Sequence, residues 1–147
     1  MNIISEARSS DYPAIHELAK LLYGPNVAPA RPVRQASRTF AARTGEAVNG
    51  FLIATLADYG FSVSGHLEEL AVAEHGQRAG VGRALVTACE DWLRSEGVET
   101  VFVSAMETAK AFYERVGYEP CVGPWLFHRL TTGGDTTRFV RPDPHAQ

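Results

Sequence analysis

The residues between Leu67 and Gly82 combine two kinds of chemistry within one short segment. Glu68 and Glu69 lie in an apolar stretch with the pattern of a β-strand, and a carboxylate placed there can take a proton from an incoming nucleophile. Gly80 and Gly82 then open an amphipathic helix. Backbone amides at a helix start, together with the helix dipole, bind phosphate oxygens without requiring a lysine. The segment therefore predicts a phosphate-binding loop beside an acid or base.

Several motifs use a glycine-rich loop in this way, and the residues exclude two of them. A dinucleotide fingerprint needs a third glycine where Leu85 stands, and a P-loop needs Lys and Ser or Thr where Arg83 and Ala84 stand. The run from Gln77 to Gly82 resembles the coenzyme A pyrophosphate loop of the GNAT family of N-acetyltransferases, which reads Gln or Arg, two residues, Gly, one residue, Gly or Ala. An ordinary glycine-rich turn before a helix is the alternative interpretation of this hexapeptide.

A second segment, from Ala109 to Tyr118, resembles another signature of the family: Ala, two residues, Phe-Tyr, three residues, Gly and an aromatic residue. The opening from Ile4 to Ile15 is similar to the strand and capped helix with which family members usually begin. The resemblance spans residues 1–130, which we expect to form one N-acetyltransferase domain, and residues 131–147 are expected to form a tail. Met106 is a departure, because the family frequently has Asn at that position.

The resemblance implies a site for acetyl-CoA as co-substrate, with no metal. The loop residues that would hold its pyrophosphate are Gln77, Arg78, Ala79, Gly80, Val81, Gly82 and Arg83. The backbone of Leu70, Ala71 and Val72 would pair with the pantetheine arm like an added strand, and one of these amides, assigned to Val72, would polarise the thioester carbonyl. Ala109 and Phe112 of the second signature would complete the coenzyme site.

Acetyl transfer to an amine requires that the ammonium lose a proton and that the leaving thiolate gain one. Strand alternation points Glu68 and Glu69 to opposite sides, so at most one faces the cleft directly, unless a bulge intervenes. The resemblance favours Glu69 as the base; Glu68 is the second candidate, and both could instead be solvated charges or attract a cationic acceptor without taking a proton. The resemblance also implies that Tyr113 protonates the coenzyme sulfur. Core packing is the alternative for Tyr113, although Phe112 fits that alternative better.

The composition is that of a globular domain, with 147 residues, of which 45% are hydrophobic and 21% charged. A net charge of −3 gives no support to binding of nucleic acid or of an anionic membrane. No apolar run reaches the length of a membrane span, and the first residues lack the apolar centre of a signal peptide. With only 2 cysteines we expect a cytoplasmic chain without a disulfide framework, and the 5 histidines show no metal-ligand spacing.

The elements that must position these residues follow from the hydrophobic periodicity. We predict strands at residues 3–7, 37–43, 48–57, 67–73, 100–104, 118–121 and 124–130, and helices after Asp11, at residues 81–96 and at residues 109–116. Parallel neighbours need helical crossovers, so this order predicts an α+β domain with a mixed sheet. The resemblance adds that the central sheet splays between its parallel strands and carries helices on both faces.

We therefore expect an acetyl-CoA-dependent N-acetyltransferase that acetylates a primary amine, of a small molecule, by direct attack in a ternary complex. The alternatives are an enzyme for protein lysines or N-termini, a non-catalytic acyl-CoA-binding module of the same fold, and an unrelated α/β domain with a chance loop. Residues 24–36 and 58–66 are expected to line the acceptor pocket. We also expect a homodimer that covers the edges of the last two strands.

Overall fold

The computed structural model describes residues 1–121, 128 and 130–132. The chain divides into two compact units, Met1–Ser104 and Ala105–Gln147. The first unit contains α1 (Tyr12–Tyr23), β1 (Arg34–Thr44), β2 (Ala47–Asp58), β3 (Val63–Val72), α2 (Val81–Ser95) and β4 (Val101–Val103), and the second contains α3 (Lys110–Arg115). The single domain predicted over residues 1–130, followed by a tail, stays a prediction.

One mixed sheet in the order β1-β2-β3-β4 forms the centre of the first unit. Strands β1 and β2 are antiparallel, as are β2 and β3, whereas β3 and β4 are parallel. The described β3–β4 ladder ends at the pair Leu67–Val103, which we call the fork, and β3 continues past it to Val72. The predicted α+β class with a mixed sheet is confirmed, and the described ladder ends where β4 ends, next to Glu68.

Helix α2 packs against one face of the sheet. Alternate residues of β2 point to this face and are buried. Leu52, Ala54 and Leu56 on that face are each at most 1% exposed. The buried residues of α2 are Leu85, Val86, Cys89, Trp92 and Leu93. Gly65 of β3 allows the helix to come close, because a Cβ at this position would lie 2.9 Å from Leu93 Cδ1. The packing fixes the start of α2 relative to β3.

Two predicted strands are absent from the described chain. Residues 3–7 form no strand, and Ile3 and Ile4 are each 91% exposed. Residues 118–121 also have no regular structure, and the strand predicted at residues 124–130 falls almost wholly outside the described residues. The homodimer expected through these last strands therefore stays a prediction. Helix α1 does begin after Asp11, but the Asp11 carboxylate accepts the N–H of Arg8 (2.7 Å) instead of capping the helix.

Asp58, at the end of β2, ties the segment before β1 to the β2–β3 turn. Its side chain accepts the N–H of Gly60 (2.8 Å) and forms ion pairs with Arg31 and with Arg34, the latter at 3.8 Å. Asp58 is only 6% exposed. The hydrogen bond from Gly60, and then the interactions with Arg31, hold the pKa of Asp58 below its usual range, against the opposing effect of burial.

The lowered pKa of Asp58 makes a prediction about stability and pH. A group with a depressed folded-state pKa stabilises the fold above its unfolded value, about 3.9 for Asp, and loses that contribution as the pH falls through the folded-state pKa. We expect Asp58→Asn to lower the free energy of unfolding at neutral pH by about 1–3 kcal/mol. Urea denaturation should show this difference shrinking below about pH 4. A difference that is the same in strong acid would contradict the assignment.

Candidate active site

The loop of residues 73–80 carries the chain from the end of β3 to the start of α2. Gln77 Nε2 donates to the carbonyl of Val72 (3.1 Å), which ties the loop back to the strand. Arg78 has a φ of 64° and Gly80 a φ of 81°. Two left-handed residues in such close succession turn the chain sharply, and Gly80 is the N-cap of α2.

The first turn of α2 presents amides to the space in front of the helix. An α-helix leaves its first N–H groups without an intrahelical acceptor, and no side chain of the described residues caps this helix. The amides of Val81 and Gly82 therefore face an anion-binding position, which the helix dipole favours. Gly80 is exposed, and a Cβ on it would meet nothing within 4 Å, so the described residues do not cover this glycine. These features fit a pyrophosphate.

The predicted pyrophosphate-binding residues are accessible. Those that are exposed are Gln77, Arg78, Ala79, Gly80 and Arg83, and those that are half-buried are Val81 and Gly82. The structure thus brings all of them together around one helix start. Their contact with a coenzyme stays a prediction.

The edge of β3 beyond the fork completes a candidate coenzyme site. On one side, Leu70, Ala71 and Val72 pair with β2; on the other side no described residue of β4 pairs with them, although the Val72 carbonyl accepts from Gln77. An unpaired strand edge is the template on which an extended chain can add through main-chain hydrogen bonds. The residues predicted to hold the pantetheine arm therefore lie on the kind of edge that this role requires.

A β-bulge determines where the two carboxylates lie. The β2–β3 ladder pairs Glu69 with Ile53 and Leu67 with Ala54, which leaves Glu68 as the extra residue. A bulge interrupts the alternation of a strand and re-aims its side chains. Because of this bulge, strict alternation does not apply to Glu68 and Glu69, and the two side chains need not point to opposite sides.

A cavity of about 550 Å³ lies on the sheet beside Glu68. Its polar lining consists of Gln35 and Ser37 from β1, Thr55 from β2, and His66 and Glu68 from β3. The Thr55 hydroxyl donates to Glu68 Oε1 at 2.6 Å and so holds the carboxylate in place. Glu69 is not part of the described lining. Of the two glutamates, Glu68 is thus the one that a small molecule in this cavity would meet.

His66 brings an imidazole to the same cavity, and sequence reasoning missed it because the histidines lack metal-ligand spacing. Its Nε2 lies 3.3 Å from Ser64 Oγ, and its ring stacks on Phe102 of β4 at a centroid distance of 5.5 Å and an angle of 27°. The signal that could have found it is the polar alternation of Ser64, His66 and Glu68 along one strand.

Tyr113 lies on α3, in the second unit. It is 7% exposed, and its ring makes edge contacts with Phe112 at 5.1 Å and Tyr118 at 5.6 Å between centroids. Phe112 and Ala109 are half-buried. The expectation that Phe112 fits core packing better than Tyr113 is therefore wrong. The role of Tyr113 as a proton donor stays a prediction.

Residues 35–120 match the protein family described as acetyltransferase (GNAT) domain. The chain belongs to the GNAT family. The match contains the fork, the loop of residues 73–80, the cavity lining and α3, so the features described above lie within the GNAT domain. None of the curated proteins matches the chain.

Solved structures share the GNAT fold. An aminoglycoside acetyltransferase from an uncultured soil metagenomic sample, in complex with sisomicin, has 22% identity and a TM-score of 0.56 over 77% of this chain and 73% of that chain. The ribosomal-protein-alanine N-acetyltransferase from Brucella melitensis biovar Abortus 2308 has 16% identity and a TM-score of 0.54 over 64% and 74%. A transcriptional regulator from Bacillus halodurans C-125 has 20% identity and a TM-score of 0.56 over 63% of this chain and 66% of its own length. Such identities establish the fold alone.

Other chemistry finds little support in the described part of the chain. No group of His, Cys, Asp and Glu residues there could hold a metal ion. Burial raises the pKa of Cys89 to about 12, so this thiol stays protonated and unreactive at neutral pH. Among the described residues, no helix is both long enough and apolar enough to span a bilayer.

Proposed function

We propose that this GNAT protein is an acetyl-CoA-dependent N-acetyltransferase that acetylates a primary amine of a small molecule by direct attack in a ternary complex. One observation carries the proposal. The first unit contains three features close together in the chain. They are a cavity lined by a carboxylate of β3, the edge of β3 that does not pair with β4, and the uncapped start of α2. A phosphate-bearing donor and an amine acceptor could therefore bind on either side of the fork.

The residues fit acetyl-CoA at the donor side. Acetyl-CoA would supply the acetyl group as an activated thioester. The amides of Val81 and Gly82 would hold the pyrophosphate at the helix start, and the edge of Leu70–Val72 would hold the arm. Binding by backbone groups explains why the loop carries glycines and no P-loop lysine.

The cavity fits a small cationic acceptor. Its volume of about 550 Å³ lies in the range usual for small-molecule sites. With one oxygen of Glu68 engaged by Thr55, the carboxylate keeps acceptor capacity for an ammonium N–H. One of the similar structures is named an aminoglycoside acetyltransferase and another a ribosomal-protein-alanine N-acetyltransferase; both names support acetyl transfer, and the second supports transfer to nitrogen.

The test is an acetyl-CoA consumption screen. The protein is incubated with acetyl-CoA and a panel of aminoglycosides including sisomicin, simple amines, amino acids, a lysine peptide and a peptide with N-terminal alanine. Release of coenzyme thiol and the mass of the product are measured together. We expect turnover with small amines. Transfer to the peptides alone would favour a protein acetyltransferase, and coenzyme binding without any transfer would favour a non-catalytic module.

The two glutamates provide a prediction within this proposal. We expect Glu68→Gln to raise KM for the amine about 10–100-fold, because the cavity loses its charged hydrogen-bond acceptor. Glu69→Gln should have the milder effect, since Glu69 lies outside the described lining. This order reverses the one that the resemblance favours. Steady-state kinetics of both variants measure it, and equal small effects would contradict the placement of the acceptor in this cavity.

A further inference from the structure

We infer that His66 accepts the proton that the acceptor ammonium must lose, while Glu68 binds that ammonium without taking its proton. The inference rests on the proposed function and divides the work between two side chains of the same cavity. Neither the GNAT match nor the similar structures assign a role to His66.

Both side chains lie at the fork. His66 pairs with Phe102 one position before the last β3–β4 pair, and Glu68 is the first residue beyond it. Both line the cavity. An amine that enters the cavity therefore meets both an imidazole and a carboxylate.

The surroundings of His66 hold its ring in one orientation. Phe102 stacks on one face of the imidazole, and Ser64 Oγ lies 3.3 Å from Nε2. The hydrogen bond that one ring nitrogen makes determines which nitrogen carries the proton in the neutral imidazole. If Nε2–H donates to Ser64, the lone pair stands on Nδ1. In that tautomer Nδ1 is the base, whereas a Ser64 hydroxyl that donates to Nε2 would place the proton on Nδ1.

The different roles of His66 and Glu68 follow from the ordinary chemistry of an imidazole and a carboxylate. An imidazole can accept a proton on one ring nitrogen and is the side chain that most often serves as a general base. The Thr55 hydroxyl holds Glu68 at 2.6 Å, which suits a fixed anionic anchor. The charged groups on the strand of His66 are Glu68 and Glu69, and the described neighbours that β1, β2 and β4 contribute are neutral: Gln35, Ser37, Thr55 and Phe102.

The protons and electrons balance without a further reactant. The ammonium passes one proton to Nδ1 of His66, which becomes an imidazolium and later returns that proton to solvent. The freed lone pair on nitrogen forms the bond to the acetyl carbon. The electron pair of the broken carbon–sulfur bond leaves with sulfur, and the second proton lost by nitrogen balances the one that sulfur gains.

The test compares His66→Phe and His66→Gln with the wild-type protein, using the amine most active in the panel. The phenylalanine keeps an aromatic face against Phe102, and the glutamine keeps a hydrogen-bonding group near Ser64. We expect both to lower kcat about 10²–10⁴-fold. Calorimetry should find acetyl-CoA affinity unchanged in both, and Glu68→Gln should instead change KM. The wild-type profile of kcat against pH should rise with deprotonation of an imidazole, and this rise should be absent from both histidine variants.

A readout independent of turnover uses the protein alone. Nitrogen-15 NMR of labelled histidines should show neutral His66 protonated at Nε2, and Ser64→Ala should weaken that preference. Wild-type kcat in either folded histidine variant, or a neutral ring protonated at Nδ1, would overturn the inference and leave the proposed function standing. A wild-type protein that acetylates no amine would overturn both.

Discussion

Replacing Gly82 with tryptophan is expected to weaken acetyl-CoA binding about 10²–10⁴-fold. Gly82 lies in the first turn of α2, and Cα–Cβ bonds in a helix tilt toward its N-terminus, so the indole would occupy the position proposed for the pyrophosphate. Loss of two hydrogen bonds to a charged group, at about 1.5–3 kcal/mol each, corresponds to that range. Gly82 is not among the glycines with positive φ, so the backbone should tolerate the change.

The matched control is Thr87→Trp, which places the same ring at an exposed position of α2 beyond the first turn. Isothermal calorimetry with acetyl-CoA compares both variants with the wild type, and thermal unfolding confirms that each is folded. Unchanged affinity in Gly82→Trp would show that the pyrophosphate binds elsewhere. Equal losses in the two variants would point to a general effect on the helix.

Removing the hydroxyl of Tyr113 is expected to lower kcat about 10²–10⁴-fold with little change in KM or in acetyl-CoA affinity, if this group protonates the leaving sulfur. Tyr113→Phe keeps the ring, and with it the edge contacts to Phe112 and Tyr118. Since Tyr113 is 7% exposed, keeping the ring is necessary to separate chemistry from packing.

Tyr118→Phe removes the same atom from the neighbouring ring and is the control. If Tyr113 only packs in the core, the two variants should behave alike. Both should then show small changes in kcat and comparable shifts in thermal stability. A large loss of kcat in Tyr113→Phe alone would support the proton-donor role. Wild-type turnover in Tyr113→Phe would contradict it.

The strongly patterned elements of the fold were predictable from sequence. The apolar run at residues 48–57 and the 3.6-residue period at residues 81–96 correspond to β2 (Ala47–Asp58) and α2 (Val81–Ser95). The strand at residues 3–7 was not, because a strand also needs a neighbour to pair with, and no described strand pairs with these residues. Pro120 lacks the N–H that a ladder needs, which accounts for the failure at residues 118–121.

The start of α2 and the cavity differed in how well the sequence could predict them. Glycine spacing at residues 80 and 82 located the start of α2, since backbone conformation there depends on local residue types. The cavity depends on the register of three strands, which brings Ser37, Thr55 and His66 together from distant positions. The bulge at Glu68 has no glycine or proline to announce it, and Glu68 is assigned to the cavity by the lining and by its hydrogen bond with Thr55.

The central claim is that acetyl-CoA binds along the start of α2 and the free edge of β3. Nitrogen-15 NMR of the wild-type protein during titration with acetyl-CoA tests it directly, amide by amide. We predict saturable shifts that are largest at Gly80, Val81 and Gly82 and at Leu70–Val72, with smaller ones at exposed positions such as Thr87. Saturable binding that leaves these amides unshifted, or no binding at all, would contradict the claim.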